Sequence, residues 1–314
     1  MKNRPVFSLI IPTRNRSGLL SILLDSLLVQ SFKQDDFEIL VVDNASEDDT
    51  QKLVQTFIDK NPHIPLRYLY EPELGVYAAR NKGIRESKGR ILVFVDDDVI
   101  LHPDYFKVLE NQVKPLQGLF AAGGRIIPVF ERQKPPWLIK FFMPYLAEIN
   151  FSEKIKVFPE KTHPFGINML VSRSVFERFG LFEETGEKHG KELYSRTERR
   201  FFNRLRQENI PVLYFPDLSV WHLVPDQYLD RKYIRLQAEN HLLAVLIEAR
   251  KKGKKYLRRI FWKELAKWPA TAIIALYYLF STQWEKIKPV FQYRYWQTKL
   301  IIKYLRKPKN YSSF

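Results

Sequence analysis

The chain has 314 residues, 45% of them apolar, a formal net charge of +16 and no cysteine. That apolar content is ample for a buried core, and the absence of thiols excludes disulfides, thiolate metal sites and cysteine nucleophiles. The charge is lopsided: residues 1–222 carry 31 Lys and Arg against 29 Asp and Glu, whereas residues 223–314 carry 20 against 6. A near-neutral body is thus joined to a basic tail suited to a polyanion, either a membrane face or nucleic acid.

The first apolar run, Val6 to Ile11, is too short for the apolar segment of a secretory signal and reads as a strand, so the chain is expected in the cytoplasm. Pro12 stops it, and Leu20, Leu23, Leu24, Leu27 and Leu28 then recur at helical spacing. Residues 37–42 form a second strand; the polar stretch 43–49 follows, and Leu53, Val54, Phe57 and Ile58 mark a helical face that ends at Pro62 and Pro65. Residues 66–70 read as a third strand and 75–87 as a third helix. A fourth strand, 91–95, delivers three consecutive aspartates, Asp96, Asp97 and Asp98, at its carboxyl end.

Four strands joined by three helices require right-handed crossovers, which predict a Rossmann-like, mostly parallel α/β sheet with helices on both faces. The loops after its strands gather at one edge, where open α/β sheets bind ligands. The loop from Pro12 to Arg16, the segment Asp43 to Ser46 and the three aspartates should therefore converge. Residues 115–165 are rich in proline and aromatics, and no topology is legible there. Periodicity resumes at 168–179, a helix is predicted over 197–207 with Phe201, Phe202 and Leu205 inward, and residues 212–215 read as a further strand.

Three adjacent carboxylates are costly unless a cation or hydrogen-bond donors compensate them. The cluster points to a hard divalent metal, Mg²⁺ or Mn²⁺, and through it to a phosphate-bearing substrate; the alternative is a solvated acidic turn. The first loop lacks the glycines of a dinucleotide fingerprint or a P-loop, which argues against dehydrogenases and ATPases. Asp43 can accept hydrogen bonds from a base or a ribose, or else cap the helix that follows, a task open also to Ser46 and Asp48.

Four ordered stretches resemble the family 2 glycosyltransferases, which have a GT-A fold: residues 8–15 (SLIIPTRN), 41–50 (VVDNASEDDT), 75–83 (GVYAARNKG) and 95–98 (VDDD). The resemblance spans about residues 5–222, taken as the catalytic domain, with 223–314 as a basic helical extension. It implies transfer of a sugar from a nucleoside-diphosphate donor, commonly a UDP-sugar, to a glycan or lipid-linked acceptor. Carried over position by position, it assigns the donor to Pro12, Thr13, Arg14, Asp43, Arg80, Asp96 and Asp97, and the metal to Asp98 and His222. Arg80 is expected beside the base or the diphosphate, and Asp96 on the ribose side. A metal there would neutralise charge building on the departing diphosphate.

Residues 165–169 (FGINM) resemble the segment that lines the acceptor side. In many relatives an acidic pair before a helix supplies the general base; here the equivalent pair is Thr197 and Glu198, so Glu198 takes the base position, with Glu192 and Glu187 as rivals. Arginines around Glu198 are expected to depress its pKa, and its alternative role is in an ion-pair network on a helix.

In the tail, Trp268 to Trp284 contains no charged residue and is flanked by Lys263, Lys267, Lys286 and Lys288. Seventeen residues at about 1.5 Å each fall short of a ~30 Å hydrocarbon core. Flanking lysines and terminal tryptophans therefore suit a helix lying in, or dipping into, an anionic membrane surface, which predicts a peripheral protein at the inner face of the plasma membrane. A helical cap on the catalytic body is the alternative. Two other functions compete with glycosyl transfer. A sugar-nucleotide-forming nucleotidyltransferase would want a glycine-rich basic first loop, and a nucleic-acid binder using the aromatic, basic tail has no need of central aspartates, so no nucleic-acid partner is expected.

Overall fold

The computed structural model describes residues 4–31, 33–160, 162–183 and 194–306. Their secondary structure starts as the hydrophobic runs predict. Strands β1 (Phe7–Thr13), β2 (Phe37–Asp43), β3 (Leu66–Tyr70) and β4 (Ile91–Phe94) pair in parallel in the order β3-β2-β1-β4. Helices α1 (Ser17–Leu27), α2 (Thr50–Lys60) and α3 (Val76–Glu86) make the crossovers. Every residue of β1, β2 and β4 is buried, so both sheet faces are covered. Helix α1 contributes Leu20, Leu23, Leu24 and Leu27 to the core, and α3 lies so close to the sheet that a Cβ on Gly83 would meet Ile10 at 2.4 Å.

Beyond β4 the sheet continues with antiparallel pairs. Strands β5 (Val99–Leu101), β6 (Ala121–Phe130), β7 (Lys156–Val157), β8 (Met169–Ser172) and β9 (Val212–Val224) complete a nine-stranded sheet, in which the pairs β4–β8, β6–β8, β5–β9 and β7–β9 are antiparallel. Helices α4 (Tyr105–Val113), α5 (Arg173–Phe179) and α6 (Tyr194–Gln207) lie between them in sequence. The last strand outruns the predicted 212–215 because Pro216, a stop signal in the sequence, sits inside it.

The described residues fall into two compact units: those within 4–129, 147–183 and 197–223 in the first, and those within 130–146, 194–196 and 224–306 in the second. The segment Phe130–Leu146 groups with the second unit. That segment joins the second unit because Leu138, Phe142, Met143 and Leu146 share a buried cluster with Ile234 and Val290. The second unit otherwise holds helices α7 (Arg231–Lys251), α8 (Lys254–Leu265), α9 (Trp268–Phe280) and α10 (Ile287–Arg306). Among the described residues no helix is long and apolar enough to cross a membrane. Helix α9 buries only Thr271 and Ala275 and leaves Ile273, Leu276, Tyr277 and Phe280 exposed, Phe280 by 83%.

Candidate active site

Strand register brings the first two loops together. Thr13 and Asp43 are paired residues at the carboxyl ends of β1 and β2, and Ile10 pairs with Phe94, so Asp96, Asp97 and Asp98 leave β4 at the same edge. The loops are stitched side by side: the Asn15 amide donates to Ser46 Oγ at 2.9 Å, and the Glu47 amide donates to Asn15 Oδ1 at 2.7 Å. Asn44 ties in the loop after β3, donating to the Glu71 and Glu73 carbonyls and accepting from the Gly75 amide at 2.7 Å.

The convergence expected from topology is present. Thr13 Oγ1 donates to Asp97 Oδ2 at 2.8 Å. Asp43 is 2% exposed; its Oδ2 accepts from the Tyr68 hydroxyl at 2.7 Å and its Oδ1 from the Ser46 amide. At the start of α2 it is Asp48, not Asp43, that accepts from the Thr50 amide and hydroxyl. Pro12 is buried in β1. Arg14 is exposed, and the loop guanidinium on the aspartates belongs to Arg16: its Nη1 donates to Asp97 Oδ1 at 2.9 Å and to Asp98 Oδ2 at 3.0 Å.

His222 reaches the cluster through β-pairing. Because β5 starts directly after Asp98 and pairs Val99 with His222, the imidazole Nε2 lies 3.8 Å from Asp98 Oδ1. That oxygen is buried and has no hydrogen-bond partner among the described residues. Burial pushes the Asp98 pKa up, but His222 and Arg16 outweigh it and hold the carboxyl below the usual carboxylate range. Asp97 goes the other way, pushed up to about 7 by burial and by the charge of Asp98, against Arg16 and Thr13. A buried carboxylate oxygen without a donor, facing an imidazole, fits a divalent cation that takes few protein ligands and completes its shell with phosphate and water. Among the described residues no group of three or more His, Asp or Glu forms a self-sufficient metal cage.

A second constellation surrounds Arg80, on the buried face of α3. Its Nη2 donates to Asp96 Oδ1 at 2.7 Å and its Nη1 to Glu198 Oε1 at 2.8 Å. Arg80 is buried, and although burial disfavours its charge, the two carboxylates keep it firmly protonated. Gly166 makes this possible: a Cβ there would meet Arg80 Nη2 at 1.8 Å, and its amide donates to Glu198 Oε1 at 3.1 Å. The other carboxylate oxygen, Oε2, faces His163 Nε2 at 3.9 Å. Glu198 is 5% exposed, and burial pushes its pKa up to about 7 despite Arg80, opposite to the depression expected from neighbouring arginines. Thr197 is buried beside it, its hydroxyl directed at the Glu183 carbonyl. The rivals Glu187 and Glu192 lie outside the described residues.

Sequence reasoning assigned no role to Arg16, Tyr68, Asn44 or His163. Asn168, in the segment read as acceptor-lining, is fully buried: it accepts from the Tyr105 hydroxyl and donates to the Arg125 and Leu218 carbonyls.

Against known proteins, the family model described as glycosyl transferase family 2 matches residues 8–180, more than half of the chain. The chain belongs to glycosyl transferase family 2. The curated relatives of this family 2 member include validoxylamine A glucosyltransferase of Streptomyces hygroscopicus subsp. jinggangensis, 36% identical over 103 residues, which are 32% of this chain and 24% of the relative. Glycosyltransferase AglE of Haloferax volcanii is 33% identical over 114 residues, 36% of either chain. The chain thus spans about a quarter to a third of the length of these relatives. Among solved structures, mannosyltransferase PcManGT from Pyrobaculum calidifontis, in complex with GDP-Man and Mn²⁺, superposes with a TM-score of 0.61 at 22% identity, covering 97% of this chain and 87% of that one. TarS 1–349 of S. aureus in complex with UDP gives 0.51 at 19% identity, covering 76% and 65%. At such identities the likeness shows the shared, GT-A-like fold.

Proposed function

We propose that this family 2 member is an inverting, metal-dependent glycosyltransferase that moves a sugar from a nucleoside-diphosphate donor, a UDP-sugar in the first instance, to a glycan or lipid-linked hydroxyl. The observation that carries the reading is the donorless, buried Asp98 Oδ1 facing His222 at a rim shared with Asp43 and Thr13. Asp98 and His222 would hold Mg²⁺ or Mn²⁺, whose chemistry is to neutralise the charge that builds on the leaving diphosphate. Support comes from PcManGT, solved with GDP-Man and Mn²⁺, and from TarS, solved with UDP.

Asp43 accepts hydrogen bonds from the base, held in place by Tyr68 and the Ser46 amide. Thr13 fixes Asp97, and Arg80 fixes Asp96 on the ribose side. Glu198 is the general base. As the acceptor oxygen bonds to the anomeric carbon, the bond from that carbon to the diphosphate oxygen breaks, the hydroxyl proton passes to Glu198, and the nucleoside diphosphate departs. A carboxyl pushed up to about 7 suits proton uptake near neutral pH. A single displacement of the diphosphate by the acceptor oxygen, assisted by one base, corresponds to inversion. The test is a panel of UDP-, GDP- and TDP-sugars assayed with Mn²⁺ for transfer or hydrolysis; silence from all of them contradicts the reading.

The second unit adds a membrane function to this reading. Ile273, Leu276, Tyr277, Phe280 and Trp284 are exposed, and Lys263, Lys267, Lys286 and Lys288 flank them. Exposed apolar side chains on a segment flanked in sequence by lysines suit an anionic bilayer surface, in keeping with a peripheral enzyme at the inner face of the plasma membrane.

A further inference from the structure

Arg16 is not among the residues that the sequence motifs assign to the donor, yet one of its nitrogens occupies the centre of the acidic cluster. Nη1 lies 2.9 Å from Asp97 Oδ1 and 3.0 Å from Asp98 Oδ2, bridging two carboxylates of separate residues as a cation would. The two aspartates are buried, 3% and 7% exposed, whereas about a third of the Arg16 side chain is in solvent. Arg16 is thus the solvent-facing member of the cluster and the aspartates its buried members. Thr13 keeps Asp97 in place, and the opposite oxygen of Asp98 lies on the His222 side.

We propose that Arg16 is an exchangeable counter-ion: it neutralises Asp97 and Asp98 until a divalent cation and a diphosphate arrive together, and then leaves the aspartates for the diphosphate. This inference rests on the reading of Asp98 and His222 as cation ligands. A divalent ion alone, entering between Asp98 Oδ1 and His222, meets a guanidinium already bound to the other oxygen of the same carboxylate, and that repulsion disfavours binding of bare metal. A diphosphate entering at the same time offers the displaced guanidinium a planar, bidentate anionic partner. Arg16 thereby couples the two ligands and selects the metal–diphosphate pair over either component.

The experiment measures Mn²⁺ binding by electron paramagnetic resonance and calorimetry on the full chain, with and without UDP or GDP, for wild type, Arg16→Met and Arg16→Lys. Expected is a tightening of Mn²⁺ binding without nucleotide by about five- to a hundredfold in Arg16→Met, with a fall of similar size in the nucleotide-induced gain. Arg16→Lys, which keeps the charge, stays within about threefold of wild type for Mn²⁺ alone, since it lacks only the fork. Mn²⁺ binding to Arg16→Met that is unchanged or weaker, in protein whose circular dichroism and melting match wild type, overturns the exchange. Should Arg16→Met misfold, Arg16→Gln replaces it under the same criteria. Wild type that binds no Mn²⁺ even with nucleotide overturns the cation reading itself, and the exchange with it.

Discussion

Arg80 Nη1 lies 2.8 Å from Glu198 Oε1, joining a helix of the parallel half of the sheet to a helix 118 residues later, while the same guanidinium holds Asp96 at 2.7 Å. This bridge ties the proposed donor side to the proposed base. Arg80→Met strands Glu198 as a buried carboxylate without its cation, a change that typically costs about 3–5 kcal/mol. Chemical denaturation should record a loss of that size, with part of it recovered in Arg80→Lys.

Glu198 has its pKa pushed up to about 7 by burial. A general base must be ionised, so kcat is expected to fall about tenfold per pH unit below that value and to level off above it. Glu198→Gln should lower kcat by about 10²- to 10⁴-fold and abolish that acid limb. For stability the sign is opposite: the raised folded pKa favours the protonated protein, so this residue's contribution is complete below about pH 4 and is lost as pH rises through about 7. Denaturant midpoints of wild type and Glu198→Gln should diverge across that window.

Gly166→Ala places a methyl 1.8 Å from Arg80 Nη2, against a side chain already fixed by two carboxylates. Either Arg80 leaves Glu198 or the segment moves. Melting should fall by several degrees, as expected for a loss of about 1–3 kcal/mol by overpacking, and the pH profile should shift upward as Glu198 loses its cation.

On the second unit, Ile273→Ser with Phe280→Ser removes two exposed apolar side chains of α9. Each is worth about 1.5–3 kcal/mol if fully buried in lipid, so sedimentation with anionic vesicles should weaken at least tenfold while donor hydrolysis in solution is unchanged. Raising the salt should weaken wild-type binding too, because the lysine contribution is electrostatic. Binding equal to wild type would assign the patch to another partner.

The parallel half of the fold was legible because its strands are unbroken apolar runs and its helices show leucine spacing. Its topology alone brought Thr13, Asp43 and the aspartates to one rim. The antiparallel half was not legible: β6 and β8 lie in or beside the proline- and aromatic-rich middle, and residues 130–146 make sense only against Ile234 and Val290. That Arg16 reaches the aspartates while Arg14 is exposed was not legible, and between them lies Asn15 at a left-handed φ of 51°. Asn15 is one of the few residue types that tolerate that conformation, but the motif does not say which arginine then faces inward. The pKa of Glu198 was misjudged in direction because the neighbouring arginines were visible in sequence and the depth of burial was not.

The most direct measurement is calorimetric binding of UDP and GDP to wild type and Asp98→Asn, each with and without Mn²⁺. Mn²⁺ should tighten binding of one nucleotide to wild type by at least about tenfold, and Asp98→Asn should erase that gain while melting like wild type. Equal Mn²⁺ enhancement in the two proteins would contradict the assignment of the cation, and with it the account of how this rim grips a diphosphate.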